Sequence, residues 1–202
     1  MTAKIKLNAA SGGGSISIQA PSSSSNNRVF LLPDSADGNV ITSTSHKPIV
    51  NYVQTVKTDT FSASVAQGSQ SGDAIFLDYA ATASTNKLIV SCSLNVGGNF
   101  QNRVGCFFVV GGVTQTAFRG DTAGGRKTLY LAGNIFQDYV MANLAGSALI
   151  SSPSTSSTRY SYKLIHGNNA TSTVYLNRTG DDDDANYMNR AVSTITIMEI
   201  AP

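Results

Sequence analysis

The sequence predicts an all-β protein in two parts, a short N-terminal strand-and-turn segment over residues 1–47 and a β-sandwich domain over residues 48–202. Short runs rich in Val, Ile, Thr, Tyr and Phe recur along the second part, and clusters of Gly, Asn, Ser or Pro separate them. No segment shows clear helical periodicity. Charged residues make up 13% of the 202 residues, about half the usual share. This composition indicates a β-rich structural protein with an uncharged, hydrogen-bonding surface, and not a disordered chain.

The N-terminal segment contains three predicted strands, Ile5–Leu7, Ser15–Gln19 and Val29–Leu32. The runs SGGG and APSSSSNN, which have the composition of turns, lie between them. Strands this short cannot enclose a hydrophobic core of their own. We therefore expect the segment to assemble with other chains, and its candidate assembly residues, which we expect to turn inward, are Ile16, Ile18, Phe30 and Leu32.

The second part contains about nine predicted strands, at the spacing typical of a β-sandwich. They fall within ten runs rich in strand-forming residues, 49–61, 74–80, 87–96, 104–112, 113–118, 127–133, 139–150, 159–167, 172–178 and 191–200. The last run alternates, so that Ser193, Ile195, Ile197 and Glu199 share one face. Residues 135–144 have apolar spacings compatible with a helix, but the flanking glycines favour a strand, a turn and a second strand.

The two cysteines, Cys92 and Cys106, lie in neighbouring apolar runs. If these runs form a hairpin about residues 99 and 100, the cysteines fall nearly opposite each other. A cross-strand disulfide and a pair of buried thiols are then the two alternatives. Synthesis in a cytoplasm favours the thiols.

Charge and hydropathy argue against two classes of partner. The net charge is +2, and the 14 basic residues are scattered singly or in pairs, whereas a nucleic-acid binder has a basic patch or stripe. No apolar run is long enough to span a membrane, and the N-terminus lacks the apolar region of a secretory signal. We expect a protein made in a cytoplasm that leaves it inside a particle or by lysis.

The sequence predicts no catalytic residues and no enzyme. No nucleophile-elbow motif surrounds a serine, and the glycine runs lack the spacing of a phosphate-binding loop. His46 and His166, with the two cysteines, make no zinc pattern. His166 precedes a Gly-Asn-Asn turn, which indicates the end of a hairpin strand. The sequons at Asn169 and Asn177 carry no prediction without a secretory signal.

The run of four aspartates at residues 181–184 is the most conspicuous polar feature. Asp182, Asp184 and Asn186 have the spacing of the first calcium ligands in a calcium loop, but Tyr187 stands where that loop needs glycine. A Ca²⁺ site is therefore one hypothesis. The favoured alternative is a solvated loop in which water, a cation, or Arg178 and Arg190 compensate the charge. No other cofactor is expected.

Two groups of motifs carry a resemblance to a known family. The stretch KIKLNAASGGGSISIQAPSSSSNNRVFLLPDSADGNVITS resembles the N-terminal module of tail-fibre and appendage proteins of tailed bacteriophages, especially marine and cyanobacterial phages. The stretches VQTVKTDTFSAS, ASTNKLIVSCSLNVGG, FRGDTAGGR, ISSPSTSSTRYSYKL and STVYLNRTGDDDDANYMNRAVSTITIMEIAP resemble the ends of such fibres. The four consecutive aspartates depart from the mixed polar loop of the family.

The resemblance implies a C-terminal jelly roll similar to the heads of tumour necrosis factor and C1q, assembled as a homotrimer on a virion. The N-terminal segment would attach to other virion proteins, and the head would contact a host cell-surface glycan or protein. Loops at one end of a sandwich carry binding, so the candidate contact loops are 97–103, 119–126, 166–171 and 179–190. Within them, the candidate contact residues are Asn99, Phe100, Asp121, Asn168, Asn169, Asp183 and Tyr187.

Two alternative functions remain at this point. A capsid decoration or head-fibre protein would share the fold and differ only in its place on the virion. A glycan-cleaving tailspike would need two carboxylates on either side of a cleft. The candidate acids Asp73, Asp78, Asp121 and Asp138 show no recognisable pairing in the sequence.

Overall fold

The computed structural model describes residues 4–8, 11–19, 49–99, 102–122, 124–167, 170–186 and 188–202. Within them the protein has thirteen β-strands and one short 3₁₀ helix at Thr116–Phe118, and no α-helix. The chain divides into two compact units, Met1–Ile41 and Thr42–Pro202. All the strand pairings among the described residues are antiparallel.

The first unit contains one β-hairpin, formed by β1 (Lys4–Asn8) and β2 (Ser15–Gln19). The connection between them has positive φ angles at Gly12 and Gly13, a conformation that glycine adopts without a steric penalty. In the register of the pair, Ile16 lies opposite Leu7 and Ile18 opposite Ile5. The predicted strand at Val29–Leu32, with its assembly residues Phe30 and Leu32, lies outside the described residues.

The second unit is a sandwich of two sheets, and its first sheet is organised around the long central strand β6. On one side, β10 pairs with β6 along ten residues. On the other side, β13 pairs with the first half of β6 and β12 with its end, and β3 and β4 lie outside them. The strands of this sheet are β3 (Ile49–Lys57), β4 (Phe61–Val65), β6 (Lys87–Gly98), β10 (Met141–Ile150), β12 (Ser172–Leu176) and β13 (Ser193–Ile200).

The second sheet has the order β5, β11, β7, and both β8 and β9 pair with the free edge of β7. Its strands are β5 (Asp73–Tyr79), β7 (Asn102–Val110), β8 (Val113–Thr114), β9 (Leu131–Ile135) and β11 (Thr158–His166). The two sheets enclose one main hydrophobic core. Its members from the first sheet include Leu88, Val90, Leu94, Ile195 and Ile197, and those from the second include Cys106, Phe108, Tyr160, Tyr162 and Leu164.

The predicted all-β sandwich is confirmed, as is the strand–turn–strand interpretation of residues 131–150, where β9 ends at Ile135 and β10 begins at Met141. The alternation predicted for the last strand is also confirmed, because Ser193, Ile195, Ile197 and Glu199 are all buried. Among the described residues, no helix is long and apolar enough to cross a membrane.

Three strand predictions were wrong in detail. The run 49–61 is divided, because β3 ends at Lys57 and β4 begins at Phe61. The run 113–118 forms only the two-residue β8 before it enters the 3₁₀ turn. The run 127–133 was predicted as a strand, but β9 begins only at Leu131. Before β9 begins, Leu129 packs across the outer surface of the second sheet, against Phe107, Val109 and Ile165, and the Tyr130 N–H donates a single hydrogen bond to the Cys106 carbonyl oxygen of β7 at 3.0 Å.

The hairpin proposed for the two cysteine runs is wrong as well. Cys92 lies on β6 of the first sheet and Cys106 on β7 of the second, because the chain crosses from one sheet to the other between these strands. The two apolar runs therefore face each other through the core and do not pair along their edges. Both cysteines are buried free thiols.

Candidate functional site

The sandwich unit has a pocket of about 530 Å³ beside the outer surface of the second sheet. Five parts of the chain form it: the turn after β4, the start of β7, the segment leading into β9, β9 itself, and the end of β11. Its apolar wall consists of Val104, Leu129, Ala132 and Ile165. This wall exists because Leu129 folds back over the sheet.

Gly105 makes that close approach feasible. A Cβ atom at this position would lie 2.4 Å from the Leu129 Cδ1 and 2.8 Å from the Leu131 carbonyl oxygen. Both distances are far inside normal contact, so a larger residue at Gly105 would push Leu129 off the sheet and remove the apolar wall.

Three exposed cationic side chains line the same pocket: Arg103 on β7, and Arg126 and Lys127 on the segment that covers the sheet. None of the described residues that line the pocket is acidic. Within the described part of the chain, none of the three cations forms an ion pair with a carboxylate. The pocket therefore carries a local positive charge in a protein whose net charge is only +2.

Two glycines help to place these cations. Gly68 has φ +75°, and a Cβ atom there would lie 2.7 Å from the Lys127 Nζ, which instead donates to the Gly68 carbonyl oxygen at 3.4 Å. At the other wall, the Gly167 N–H donates to the Arg103 carbonyl oxygen at 2.7 Å. Each of the two cations thus lies beside a glycine whose missing side chain leaves room for it.

His166 lies in the wall of the pocket and is buried. Its Nε2–H donates to the Val65 carbonyl oxygen at 2.5 Å, since a carbonyl can only accept. This bond ties the last residue of β11 to the last residue of β4 across the two sheets. The strand-end position predicted from its Gly-Asn-Asn turn is confirmed.

Three of the four predicted contact loops reach this pocket. Arg103 belongs to loop 97–103, Gly125 and Arg126 to loop 119–126, and His166 and Gly167 to loop 166–171. The individual residues proposed from the sequence are placed differently. Asn99, Asp121 and Asp183 are exposed but do not line the pocket, and Phe100, Asn168, Asn169 and Tyr187 lie outside the described residues.

Sequence reasoning missed the cations because they are far apart in the chain. Arg103 and the Arg126–Lys127 pair were counted among scattered charges, yet the fold brings them to one pocket. The sequence neighbours of these cations could have indicated that they lie near turns. Arg126 and Lys127 directly follow two glycines in TAGGRK, and Arg103 follows the turn between two apolar runs. Basic residues beside turns at the same end of a sandwich are placed to meet.

The fourth predicted loop, 179–190, holds Asp182 between two arginines. The Arg178 Nη1 lies 2.7 Å from the Asp182 Oδ2, and Arg190 donates two hydrogen bonds to the same carboxylate, at 2.6 and 3.2 Å. The bond from Arg178, with that from Arg190, lowers the pKa of Asp182. The described residues contain no group of three or more Asp, Glu, His or Cys side chains that could hold a metal ion.

Asp184 and Asn186, the other calcium candidates, are exposed in the same loop. The four-aspartate run is thus compensated in part by arginines that flank it in the sequence, which was one of the alternatives considered for it.

A second pocket, of about 340 Å³, lies between the edges of β3 and β5 and includes Asp73, Phe76 and Asp78. The Arg159 guanidinium spans all three: it lies 3.9 Å from the centre of the Phe76 ring, pairs with Asp78 through two hydrogen bonds, and reaches within 3.7 Å of Asp73. Its hydrogen bonds lower the pKa of Asp78. The two carboxylates are therefore arranged around an arginine.

The outer surface of the first sheet differs from both pockets because its central rows carry no charge. We define this uncharged face by three rows that cross β10, β6, β13 and β3 in register. The rows are Leu149–Ile89–Met198–Tyr52, Ser147–Ser91–Thr196–Gln54 and Ala145–Ser93–Thr194–Val56. Leu149, Tyr52 and Val56 are each about half exposed, at 47%, 55% and 51%.

The hydroxyl and amide groups of the middle row bond to one another, with Ser91 Oγ and Ser147 Oγ 2.8 Å apart and Gln54 Nε2 donating to Thr196 Oγ1 at 2.9 Å.

Comparison with models of known protein families gives no match for this chain, and comparison with curated proteins gives no match either.

Proposed function

We propose that the protein is a structural virion protein of a tailed bacteriophage, a homotrimeric tail fibre or similar appendage. Its N-terminal segment attaches to the phage particle, and its β-sandwich head contacts the host cell surface through multivalent adhesion. The family resemblance of the sequence supports the class of protein. The observation that carries the proposal is the uncharged face of the first sheet.

The uncharged face suits association with further copies of the same chain. Water solvates charged side chains best, and an exposed sheet face of an ordinary monomer carries them at alternate positions. Here every outward position in three successive rows is apolar, Ser, Thr, Gln or Ala. A neighbouring copy can cover such a face without burying an unpaired charge there, which would be costly at an interface. In a trimer the contacts are heterologous, so the uncharged face of each copy would pack against a different patch of the next copy around the threefold axis.

The N-terminal hairpin supports the attachment role. A two-stranded hairpin is marginally stable by itself in water, so it needs a partner surface. Leu7, on β1, is 60% exposed in the isolated chain. Burial of such residues against other copies or against another virion protein would supply the missing core.

The charge pattern of the second pocket argues against a glycan-cleaving enzyme. A glycosidase needs one carboxylic acid whose pKa is raised, so that it is protonated near neutral pH and can act as a general acid. Asp78 has the opposite shift, because Arg159 bonds to its ionised form. This pair of aspartates thus supports a structural role for the pocket.

The assembly is tested by measuring molar mass in solution with light scattering. The native protein should have the mass of three chains, about 63 kDa from a chain of 21.1 kDa. Thr196→Lys places a charge at the centre of the uncharged face and should yield a monomer, whereas Val113→Lys, on exposed β8 of the second sheet, should remain trimeric. A monomeric native protein would overturn the trimer, and equal behaviour of the two variants would overturn the role of the uncharged face in it.

The place on the virion is tested separately by labelling the protein on intact particles. Label at the tail supports the appendage, and label confined to the capsid facets would replace it with the capsid decoration or head-fibre alternative. Incubation with host polysaccharide should release no reducing ends, and their release would favour the tailspike.

A further inference from the structure

We propose that the pocket lined by Arg103, Arg126 and Lys127 binds an anionic sugar unit of a polysaccharide, through a carboxylate or phosphate group on that sugar. This inference rests on the proposed function only in naming the ligand class that the head would contact. The binding site itself is argued from the pocket.

The charge of the pocket indicates an anion. Three cations from two separate segments line one concavity, no described lining residue is acidic, and none of the three pairs with a described carboxylate. Elsewhere in the described head, five cations pair with aspartates, namely Lys57, Arg159, Lys163, Arg178 and Arg190, whereas Lys87 and Arg119 form no ion pair with a described carboxylate. Like charges held together raise each other's free energy, and a bound anion removes that cost. Arginine also binds carboxylate and phosphate groups through two parallel hydrogen bonds.

The size and the wall of the pocket indicate a sugar and not a free inorganic ion. A volume of about 530 Å³ lies in the range of small-molecule sites and far exceeds a single phosphate. The half-buried Leu129 and the exposed Ala132 offer an apolar surface for the C–H face of a sugar ring. Asn134 adds a side-chain amide, which bonds to hydroxyl groups as donor and acceptor.

The exposure of the cations determines how tightly the pocket should bind the anion. Exposed charged groups are screened by water and salt, so one pocket should bind with a dissociation constant in the range of about 1 mM. Three pockets on one assembled head would convert this weak contact into strong attachment by avidity. Binding should therefore weaken as the ionic strength rises.

The test is a titration of the purified full-length protein, followed by calorimetry or NMR, with three defined probes. Oligogalacturonate carries carboxylates, glucose 1-phosphate carries a phosphate, and a maltooligosaccharide of similar length is neutral. The expected result is binding of one or both anionic probes and none of the neutral one, and the comparison identifies which anionic group the pocket accepts. Equal binding of all three, or no anionic binding at about 20 mM, overturns the proposal.

The variants locate the binding. Lys127→Ala and Arg126→Ala should each weaken anionic binding by about 5- to 20-fold, the usual effect of losing one charge-assisted hydrogen bond. The matched control is Lys87→Ala, which removes an equal exposed charge that does not line the pocket. Lys87 lies at the start of β6, a strand roughly 35 Å long. Melting curves confirm that each variant is folded. An equal loss in Lys87→Ala would show general charge attraction and overturn the pocket.

Light scattering on the same samples separates this inference from the proposed assembly. Anionic binding by a monomeric protein overturns the trimer and leaves the pocket assignment standing. A trimer that does not bind either anionic probe overturns the pocket assignment and leaves the assembly standing.

Discussion

Glu199, in the last strand of the first sheet, accepts a hydrogen bond of 2.5 Å from the Tyr79 hydroxyl at the end of β5 in the second sheet. The other carboxylate oxygen accepts from the Thr82 N–H and hydroxyl, at 2.9 and 2.7 Å, and from the Asn86 amide at 2.5 Å. Glu199 is fully buried. A buried carboxylate with four donors thus joins the two sheets, which explains why a charged residue occupies the inward face of β13.

Glu199 should make the protein lose stability in acid. Burial alone would raise the pKa of this carboxyl, but the hydrogen bonds from Tyr79, Asn86 and Thr82 outweigh it and lower the pKa to about 2. A lowered pKa in the folded state means that the stabilisation is complete above the unfolded value of 4.5 and disappears as the pH falls towards 2. The shift corresponds to roughly 3 kcal/mol.

The measurement is the free energy of unfolding from pH 7 to pH 2 for the native protein and Glu199→Gln. The variant should be less stable by about 2–4 kcal/mol at pH 7, because its amide group faces buried donors, and this difference should shrink below pH 4. Asp59, Asp78 and Asp182 also have lowered pKa values, so the readout is the difference between the two proteins. Parallel curves would contradict the role of Glu199.

Asn177 should be the most sensitive position in the loop after β12. Its φ angle is 65°, and it is fully buried, with its side-chain amide donating to the carbonyl oxygens of Lys57 and Asp59. Its side-chain oxygen accepts from the Ser193 hydroxyl at 2.6 Å. Asparagine tolerates this left-handed conformation better than other residues with a Cβ atom.

The contribution of the side-chain hydrogen bonds and that of the backbone conformation are separated by comparing Asn177→Gly with Asn177→Ala in chemical unfolding. Glycine removes the hydrogen bonds and keeps the backbone unstrained, so its cost of about 2–3 kcal/mol reports the bonds. Alanine should cost about 1 kcal/mol more, since it adds strain at positive φ. Equal stability of the two variants would show that the backbone conformation contributes nothing.

The fold class and most strand positions could be predicted because alternation and turn residues are local signals. β2, β6 and β11 appear within two residues of their predicted bounds. Sheet membership could not be predicted in the same way. Nothing in the runs around Cys92 and Cys106 says whether the connection between them turns back in one sheet or crosses to the other. The difference depends on which other strands occupy the edges of β6.

The candidate site shows the same contrast between local features, which could be predicted, and contacts between distant segments, which could not. The position of loops at strand ends was predictable, and three of the four predicted contact loops reach the pocket, while their contact with a partner stays a prediction. The cations were not, because Arg103 and Lys127 meet only after Leu129 packs over the sheet. Glu199 was visible as part of an inward face, but its donors Tyr79, Thr82 and Asn86 are more than a hundred residues away in the chain.

The two cysteines should be unreactive in the folded protein. Burial raises the pKa of Cys92 to about 11 and raises that of Cys106 still further. At pH 8 a fraction of about 0.001 of Cys92 is then in the thiolate form, which is the reactive one. A thiol reagent should titrate no cysteine in the native protein and two after unfolding in guanidinium chloride. One fast-reacting native thiol, or none after unfolding without a reductant, would contradict the buried free thiols.

The aspartate loop should not require calcium. Both oxygens of Asp182 are bonded to Arg178 or Arg190, so a cation there would have to displace two guanidinium groups. Melting temperatures in Ca²⁺ and in EDTA should therefore agree within about 1 °C, and Asp182→Ala should cost less than about 1 kcal/mol because the ion pairs are exposed and screened by salt. The control is Asp184→Asn, which removes the other candidate carboxylate and leaves both arginine pairs in place. A rise of several degrees in Ca²⁺ that EDTA reverses and Asp184→Asn abolishes would instead establish a cation site, with Asp184 as a ligand and the arginines displaced.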